Sequence, residues 1–203
     1  MQAKNLLKKN TITVVDGRQE VIKAVGTPFK SLTRIWCRHE ADCLSQLEEL
    51  GFTSAPKLIS STVDSFTMEK IEGTSLHGRM PIDETFFIRL MDVIGELHDF
   101  GFAHGNLRPN NIIVKAGNEP ALIDFESCCR IPNPLFLLAR FSDLAWLHWL
   151  WQSRVAQSDP ELVRAKFPRY VLLAMSVITP IGKLRVMAMD ARKRHRKSRR
   201  VSS

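Results

Sequence analysis

Two short apolar runs, Ile112-Ile113-Val114 and Ala121-Leu122-Ile123, constrain this chain more than any other feature. The turn Ala116-Gly117-Asn118-Glu119-Pro120 lies between them, Asn111 stands at the outer end of the first run, and Asp124 stands at the outer end of the second. An amide and a carboxylate placed at two strand ends are what a magnesium-nucleotide site needs, because hard oxygen ligands must converge on one ion beside the phosphates. The flanking residues extend the pattern: His104-Gly105-Asn106-Leu107-Arg108-Pro109-Asn110 leads into Asn111, and Phe125-Glu126 follows Asp124. The combination reads as a phosphotransferase signature.

These stretches resemble the catalytic and metal-binding loops of the protein-kinase-like superfamily. His-Gly-Asn stands where active members carry His-Arg-Asp or His-Gly-Asp, and Asp-Phe-Glu where protein kinases carry Asp-Phe-Gly. The resemblance spans roughly residues 11 to 151. It implies an α+β, bilobal fold with a small β-rich N-lobe over 1–71 and a reduced, mostly helical C-lobe over 72–190, followed by a basic tail over 191–203. It further implies that Asn111 and Asp124 are magnesium ligands and that His104 braces the metal-loop backbone. Arg108 takes the place of a lysine that touches the transferred phosphoryl group, and Asp143 that of a buried aspartate capping the catalytic-loop backbone.

Composition agrees with an enzyme-sized domain. A chain of 203 residues, 44% hydrophobic and 25% charged, can bury a substantial core. Residues 1–10 lack the apolar centre of a secretory signal. Arg140 and Asp143 interrupt the apolar stretch from Pro134 to Trp151, and Val171 to Ile181 is shorter than the roughly 20 residues a membrane span takes. A cytoplasmic location is expected. Cys37 and Cys43 lie six apart on an expected helix and Cys128 and Cys129 are adjacent, neither with zinc-ligand spacing, so reduced buried thiols are expected. Of the net charge of +8, seven positive charges lie between Ala191 and Arg200, which leaves the body nearly neutral. Such a tail is either solvated and weakly nonspecific, or a contact for an anionic membrane surface, nucleic acid or an acidic partner, or a nuclear signal in a eukaryotic source, with no specific nucleic acid implied. Through it the protein could sit peripherally at the inner membrane surface.

In the N-terminal part, Thr11–Val15 and Glu20–Val25 flank Asp16-Gly17 and read as a hairpin. Lys23, set among apolar neighbours, is either an exposed strand lysine or, by the resemblance, the lysine that holds nucleotide phosphates. A helix is expected over about 32–50, its stripe carrying Trp36, Leu44 and Leu47 with Glu40 among them. A carboxylate on a buried face needs a partner, and by the resemblance, in which the helix glutamate pairs with the strand lysine, Lys23 is the natural one, unless Glu40 sits at the rim in water. Residues 1–15 contain no glycine, so the glycine-rich phosphate loop of protein kinases is missing. Either it has been lost, or a segment near Lys4, Lys8 and Lys9 covers the nucleotide differently.

Strands are expected over Pro56–Ser60 and Ser65–Ile71, running into Glu72-Gly73-Thr74. Met-Glu-Lys-Ile-Glu-Gly resembles the kinase hinge. By position Met68 would be the gatekeeper, Glu69 to Ile71 would border the adenine edge, and Val21 and Ile113 would lie above and below the ring. A helix from about Pro81 to Phe100, with Asp83-Glu84 at its start and Gly101 as its stop, would deliver the catalytic loop. Trp146, Trp149 and Trp151 read as packing residues. One or two further helices are expected between Pro160 and Met189. Only sixteen residues separate Glu126 from Asp143, short for an activation segment with a peptide platform. The motif forms lean instead toward lipopolysaccharide-core sugar kinases and aminoglycoside or choline kinases.

Asn106 divides the functional readings. Active relatives carry aspartate there to accept the attacking hydroxyl's hydrogen bond, whereas an amide can orient a hydroxyl but is a negligible base. One reading is an ATP- and Mg2+-dependent phosphotransferase acting on a small-molecule, sugar or lipid-sugar hydroxyl, with Asn106 and Arg108 as its catalytic pair. The other is a catalytically impaired pseudokinase, a nucleotide-binding regulator or scaffold. Glu126 is either an added carboxylate beside the metal or a surface residue.

Overall fold

The computed structural model describes residues 10–15, 19–25, 30–76, 80–155 and 160–176. The chain divides into two compact units, 1–158 and 159–203. The α+β architecture expected from sequence is present in the first.

Alternation of apolar residues produces the N-terminal sheet. Strand β1 (Asn10–Val15) pairs antiparallel with β2 (Glu20–Val25), β2 with β4 (Ser65–Glu69), and β4 with β3 (Leu58–Ser61), giving the order β1-β2-β4-β3. Lys23, Phe66 and Met68 are buried in this sheet. Helix α1 (Lys30–Glu49) buries Cys37, Glu40, Leu44 and Leu47 at three- and four-residue spacing, which puts them on one face. Its end is fixed by Gly51, whose positive φ of 83° suits a residue without Cβ. There the Gly51 N–H bonds the Glu48 carbonyl and the Phe52 N–H bonds that of Leu47, closing the terminus as Phe52 and Leu47 enter the core. The strand expected over 65–71 stops at Glu69, and Lys70 turns its N–H to the Gln19 carbonyl at 2.7 Å. The turn at Asp16-Gly17 lies outside the described residues.

Helix α2 (Glu84–Asp99) begins three residues later than Pro81, because Asp83 is its cap: the carboxylate accepts the Phe86 N–H at 2.8 Å. Phe87, Leu90, Ile94 and Leu97 form its buried stripe. Beside it, β5 (Thr74–Ser75), β7 (Ile112–Lys115) and β8 (Glu119–Leu122) make a sheet in the order β5-β7-β8, and β6 (Phe102–Ala103) pairs with β9 (Cys129–Arg130). The β7-β8 hairpin is the pair of apolar runs with which the sequence is most constraining. Helix α3 (Phe136–Arg154) buries Asp143, Leu147, Leu150 and Trp151, while Trp146 and Trp149 pack edge to face at 5.3 Å, in keeping with packing roles.

In the second unit, α4 (Pro160–Lys166), the bend after it and the helical residues 169–176 carry Val163, Phe167, Val171 and Met175, buried at four-residue spacing. No helix among the described residues is long and apolar enough to cross a membrane. Lys4, Lys8, Lys9 and the basic tail over 191–203 lie outside the described residues.

Candidate active site

The loop over 104–111 is held at its start by Asp143. This fully buried carboxylate accepts the backbone N–H of His104 at 2.8 Å and of Gly105 at 2.9 Å, and His98 Nε2 lies 3.2 Å from it. Two backbone donors and an imidazole therefore satisfy a charge that would otherwise be costly to bury. Gly105 has φ 72°, and a Cβ there would sit 2.5 Å from the Ser127 carbonyl oxygen, so only glycine lets the loop lie against the segment after Asp124.

His104 is fully buried, and burial lowers its pKa despite the nearby Asp143, which leaves the ring neutral. Its contacts fix the tautomer. Nε2–H donates to the Ile123 carbonyl at 3.0 Å and Nδ1 accepts the Asn106 N–H at 3.3 Å. His104 thus ties the catalytic loop to the residue before Asp124, the bracing expected of it. Asn111 Nδ2 donates to the Asn106 carbonyl at 2.9 Å, and the Ile123 N–H returns to the Asn111 carbonyl at 2.9 Å. The Asn111 side-chain oxygen is left as the acceptor end of that amide. Asp124 has a left-handed backbone at φ 69°, an uncommon conformation for a residue with a side chain and one found at functional loops.

Lys23 crosses from the sheet to this loop. Its Nζ lies 2.6 Å from Glu40 Oε2 and 2.7 Å from Asp124 Oδ1, and the residue is 4% exposed. It is not a solvent-facing strand lysine, and Glu40 at 1% exposure is not a rim residue. Burial opposes the ammonium, but the two carboxylates outweigh it and hold the Lys23 pKa above its ordinary value. Burial pushes Glu40 up to about 7, against the pull of Lys23. Its second oxygen, Oε1, is buried without a hydrogen-bond partner.

A cavity of about 430 Å³ opens over this pair. Lys23, Glu40, Asn111 and Asp124 line its polar end, and Val21, Met68, Glu69, Ile71 and Ile113 line the remainder together with Lys70. Nine residues singled out from sequence as nucleotide or metal contacts therefore meet at one cavity. Glu126 lines it as well. Pro56 and Ile123 do so without having been singled out, since neither carries chemistry that a sequence signals. Asn106 and Arg108 do not line it: Asn106 is half-buried beside it, joined through its carbonyl to Asn111, and Arg108 is exposed. The second carboxylate on Lys23 was also unforeseen, as was a contact between α1 and Cys128 through His39 and Cys43.

Asn111 and Asp124 offer two hard side-chain oxygens to the cavity that Lys23 also lines. That donor set suits magnesium, which is commonly held by one or two protein oxygens plus substrate phosphates and waters. Residues fit the group.

A buried strand lysine joined to a helix glutamate, beside a braced loop with an Asn and an Asp at strand ends, defines a protein-kinase-like domain. The RIO domain model matches residues 6–147, well over half of the chain, and the chain belongs to that family. Among curated proteins it is 36% identical over 91 residues to the EKC/KEOPS complex subunit BUD32 of Encephalitozoon cuniculi, an alignment covering 43% of this chain and 45% of that protein. Among solved structures it resembles the Rio2 kinase from Chaetomium thermophilum in an ADP/Mg2+-phosphoaspartate complex, with 17% identity, a TM-score of 0.56, and coverage of 74% of this chain and 57% of that one. It also resembles the WbdD structure with the inhibitor LY294002, with 21% identity, a TM-score of 0.56, and coverage of 83% and 42%. The chain thus spans about half the length of these relatives, and the structural likenesses show the fold.

Proposed function

We propose that the chain binds ATP with magnesium in this cavity and transfers the terminal phosphoryl group to a hydroxyl of a small molecule, sugar or lipid-linked sugar. The observation that carries this reading is the simultaneous contact of Lys23 with Glu40 and Asp124 at the polar end of the cavity. Glu40 fixes the ammonium where phosphate oxygens can replace or join Asp124 as its partners. Val21 and Ile113 would sandwich the adenine, Met68 would close the rear, and backbone groups of Glu69 to Ile71 would border its edge. Magnesium held by Asn111 and Asp124 would neutralise charge on the phosphates. Asn106, held by the His104 ring through its backbone N–H, would orient the acceptor hydroxyl through its side-chain oxygen, and Arg108 would meet the phosphoryl group from the exposed side.

The amide at Asn106 supports a second reading, in which the same site binds nucleotide but serves regulation. In both, affinity for ATP should tighten with magnesium, and Lys23→Ala or Asp124→Ala should weaken it by tenfold or more, on the scale of a lost charge-assisted contact. Titration of the full chain with a fluorescent ATP analogue, with and without magnesium, measures this. An absence of binding in both conditions would overturn the proposal.

A further inference from the structure

Helix α3 buries Phe136, Ala139, Asp143, Leu147 and Leu150 on one side, and its other side is apolar as well. Leu138, Phe141, Ala145, Trp149 and Gln152 recur at three- and four-residue spacing and so share the outward face. From Leu138 to Trp149 this face carries no charged side chain over roughly 16 Å of helix, since Arg140 falls on the opposite side, where its Nε is buried. Leu138 is 66% exposed, its neighbour Leu137 72% and Trp149 43%, while Ile131 and Leu135, at the start of the helix, are 55% and 57% exposed. A helix that is apolar all round is ordinarily covered on every side, and an exposed apolar patch marks a surface that something else covers. We propose that this face lies in the interface of an anionic lipid bilayer, with α3 parallel to the membrane plane.

Charge selects lipid as the occupant. Between Glu126 and Asp159 the sole carboxylate is Asp143, which is fully buried, so this surface offers nothing that repels anionic head groups. Arg130, exposed beside Ile131, has its guanidinium 5.2 Å from the centre of the Phe102 ring and donates to Gln46, with no carboxylate partner among the described residues. The chain then continues into the seven cations between Ala191 and Arg200. Apolar insertion and a basic run are two signals that together hold a protein at an anionic membrane, where either alone binds weakly. A second copy of the chain would instead bring a net charge of +8 against its equal.

The backbone suits the same occupant, because a segment entering the acyl boundary must satisfy its own polar groups. Pro132 and Pro134 have no N–H to satisfy. Ile131, Asn133, Leu135, Phe136 and Ala139 bond theirs within the protein at 2.8 to 3.0 Å, that of Leu135 to the Asn133 side chain. At the other end of the face Trp149 packs edge to face on Trp146, and the Arg154 guanidinium lies 5.4 Å from its ring centre. An amphipathic ring beside a cation belongs at the border between an apolar layer and water. The rotation of the helix is fixed from its inner side: Phe136 and Ala139 pack on Ala103, and Asp143 holds the N–H groups of His104 and Gly105, so Leu137 and Leu138 cannot turn inward.

The test mixes the full chain, at about 0.1 M salt, with vesicles of phosphatidylcholine containing about one-third phosphatidylglycerol, and measures the bound fraction by co-sedimentation. Wild type is expected to bind. Leu137→Ser combined with Leu138→Ser keeps the net charge and should weaken binding about tenfold or more, through the apolar area it removes. Ile35→Ser combined with Val63→Ser makes the same kind of change at positions 63% and 66% exposed elsewhere, and should bind as wild type does. Vesicles brominated along the acyl chains should quench the tryptophan fluorescence of bound wild type, and Trp149→Phe should lose part of that quenching. Should the paired serine variant lose its native circular dichroism, quenching of the wild type decides. A wild type that ignores anionic vesicles, binding that the serine pair leaves unchanged, or binding without acyl-chain quenching would each overturn the proposal. So would a lipid-free dimer that the serine pair dissociates, since a second copy would then cover the face.

Discussion

The two ends of the candidate site are built on different terms. At the nucleotide end, Lys23, Glu40 and Asp124 are charged groups that hold one another, and the first two are almost wholly removed from water. At the acceptor end, Asn106 is neutral and half-buried, and Arg108 is exposed. A buried charge must keep its partners or become costly, so the nucleotide end tolerates little change. An amide at the rim carries no such constraint. On the proposed function, what is retained of a phosphotransferase would lie at the Lys23 end and what has diverged at the Asn106 end.

Restoring a carboxylate at the divergent end should have the largest effect. Asn106→Asp keeps the shape of the side chain and supplies the missing base, so turnover of ATP with a sugar, choline-like or aminoglycoside acceptor, or with water, should rise about 10- to 10⁴-fold. Nucleotide affinity should stay nearly constant, because Asn106 does not line the cavity. Coupled ADP-release assays and binding titrations on the same variant separate the two. A variant slower than wild type would mean that another group, with Glu126 at the cavity as the nearest candidate, receives the acceptor's proton.

Breaking the retained end should cost stability, and in a pH-dependent way. Lys23→Met leaves Glu40 and Asp124 without their cation, and removing one member of a buried pair typically costs about 3–5 kcal/mol. Asp124 is about one-third exposed and contributes the smaller part, since water screens it. Glu40 has a folded pKa of about 7, above the ordinary carboxylate value of 4.5, so the unfolded chain loses this proton first. Stability from this group is therefore greatest below 4.5 and declines as pH rises toward 7. Without Lys23 the pKa of Glu40 climbs further. The gap between Lys23→Met and wild type in urea denaturation should be small at acid pH, where Glu40 is neutral, and largest above neutral pH. A gap independent of pH would show that the ammonium does not stabilise a buried carboxylate.

The same contrast explains what could be read from the sequence. Glu40 was legible because a carboxylate in a stripe of Leu44 and Leu47 needs a cation, while the choice of Lys23 as that cation came through the family resemblance. Asn111 and Asp124 were legible because strand ends and turn residues are local signals. The roles of His104 and Asp143 came only through family resemblance, since hydrogen bonds to backbone groups leave no mark on composition. Cys43 and Cys128 were read as two unrelated local pairs, Cys37 with Cys43 and Cys128 with Cys129. The bond from His39, one turn before Cys43, to the Cys128 carbonyl depends on how α1 packs against the loop, which spacing along the chain does not encode. The boundaries moved for local reasons: Asp83 caps α2 after Pro81, and the turn of Lys70 toward Gln19 ends β4 before Ile71.

The smallest expected effect on the site concerns the basic end of the chain. Seven of the net positive charges lie between Ala191 and Arg200, beyond every residue that lines the cavity. Truncation after Met189 should leave ATP affinity and the thermal midpoint of the kinase-like unit unchanged. It should reduce binding to anionic vesicles, and that binding should already fall steeply with salt in the full chain, because several unit charges near a lipid surface act together and are screened within about 10 Å at 0.1 M salt. Vesicle co-sedimentation at two salt concentrations, beside the nucleotide titration, measures both properties on one protein. If truncation weakens nucleotide binding, the tail acts on the cavity and the division between a constrained nucleotide end and an open periphery fails. If vesicle binding survives truncation undiminished, the attraction lies in the folded units, whose sequence outside that run is nearly neutral, and must then be sought in their exposed apolar side chains.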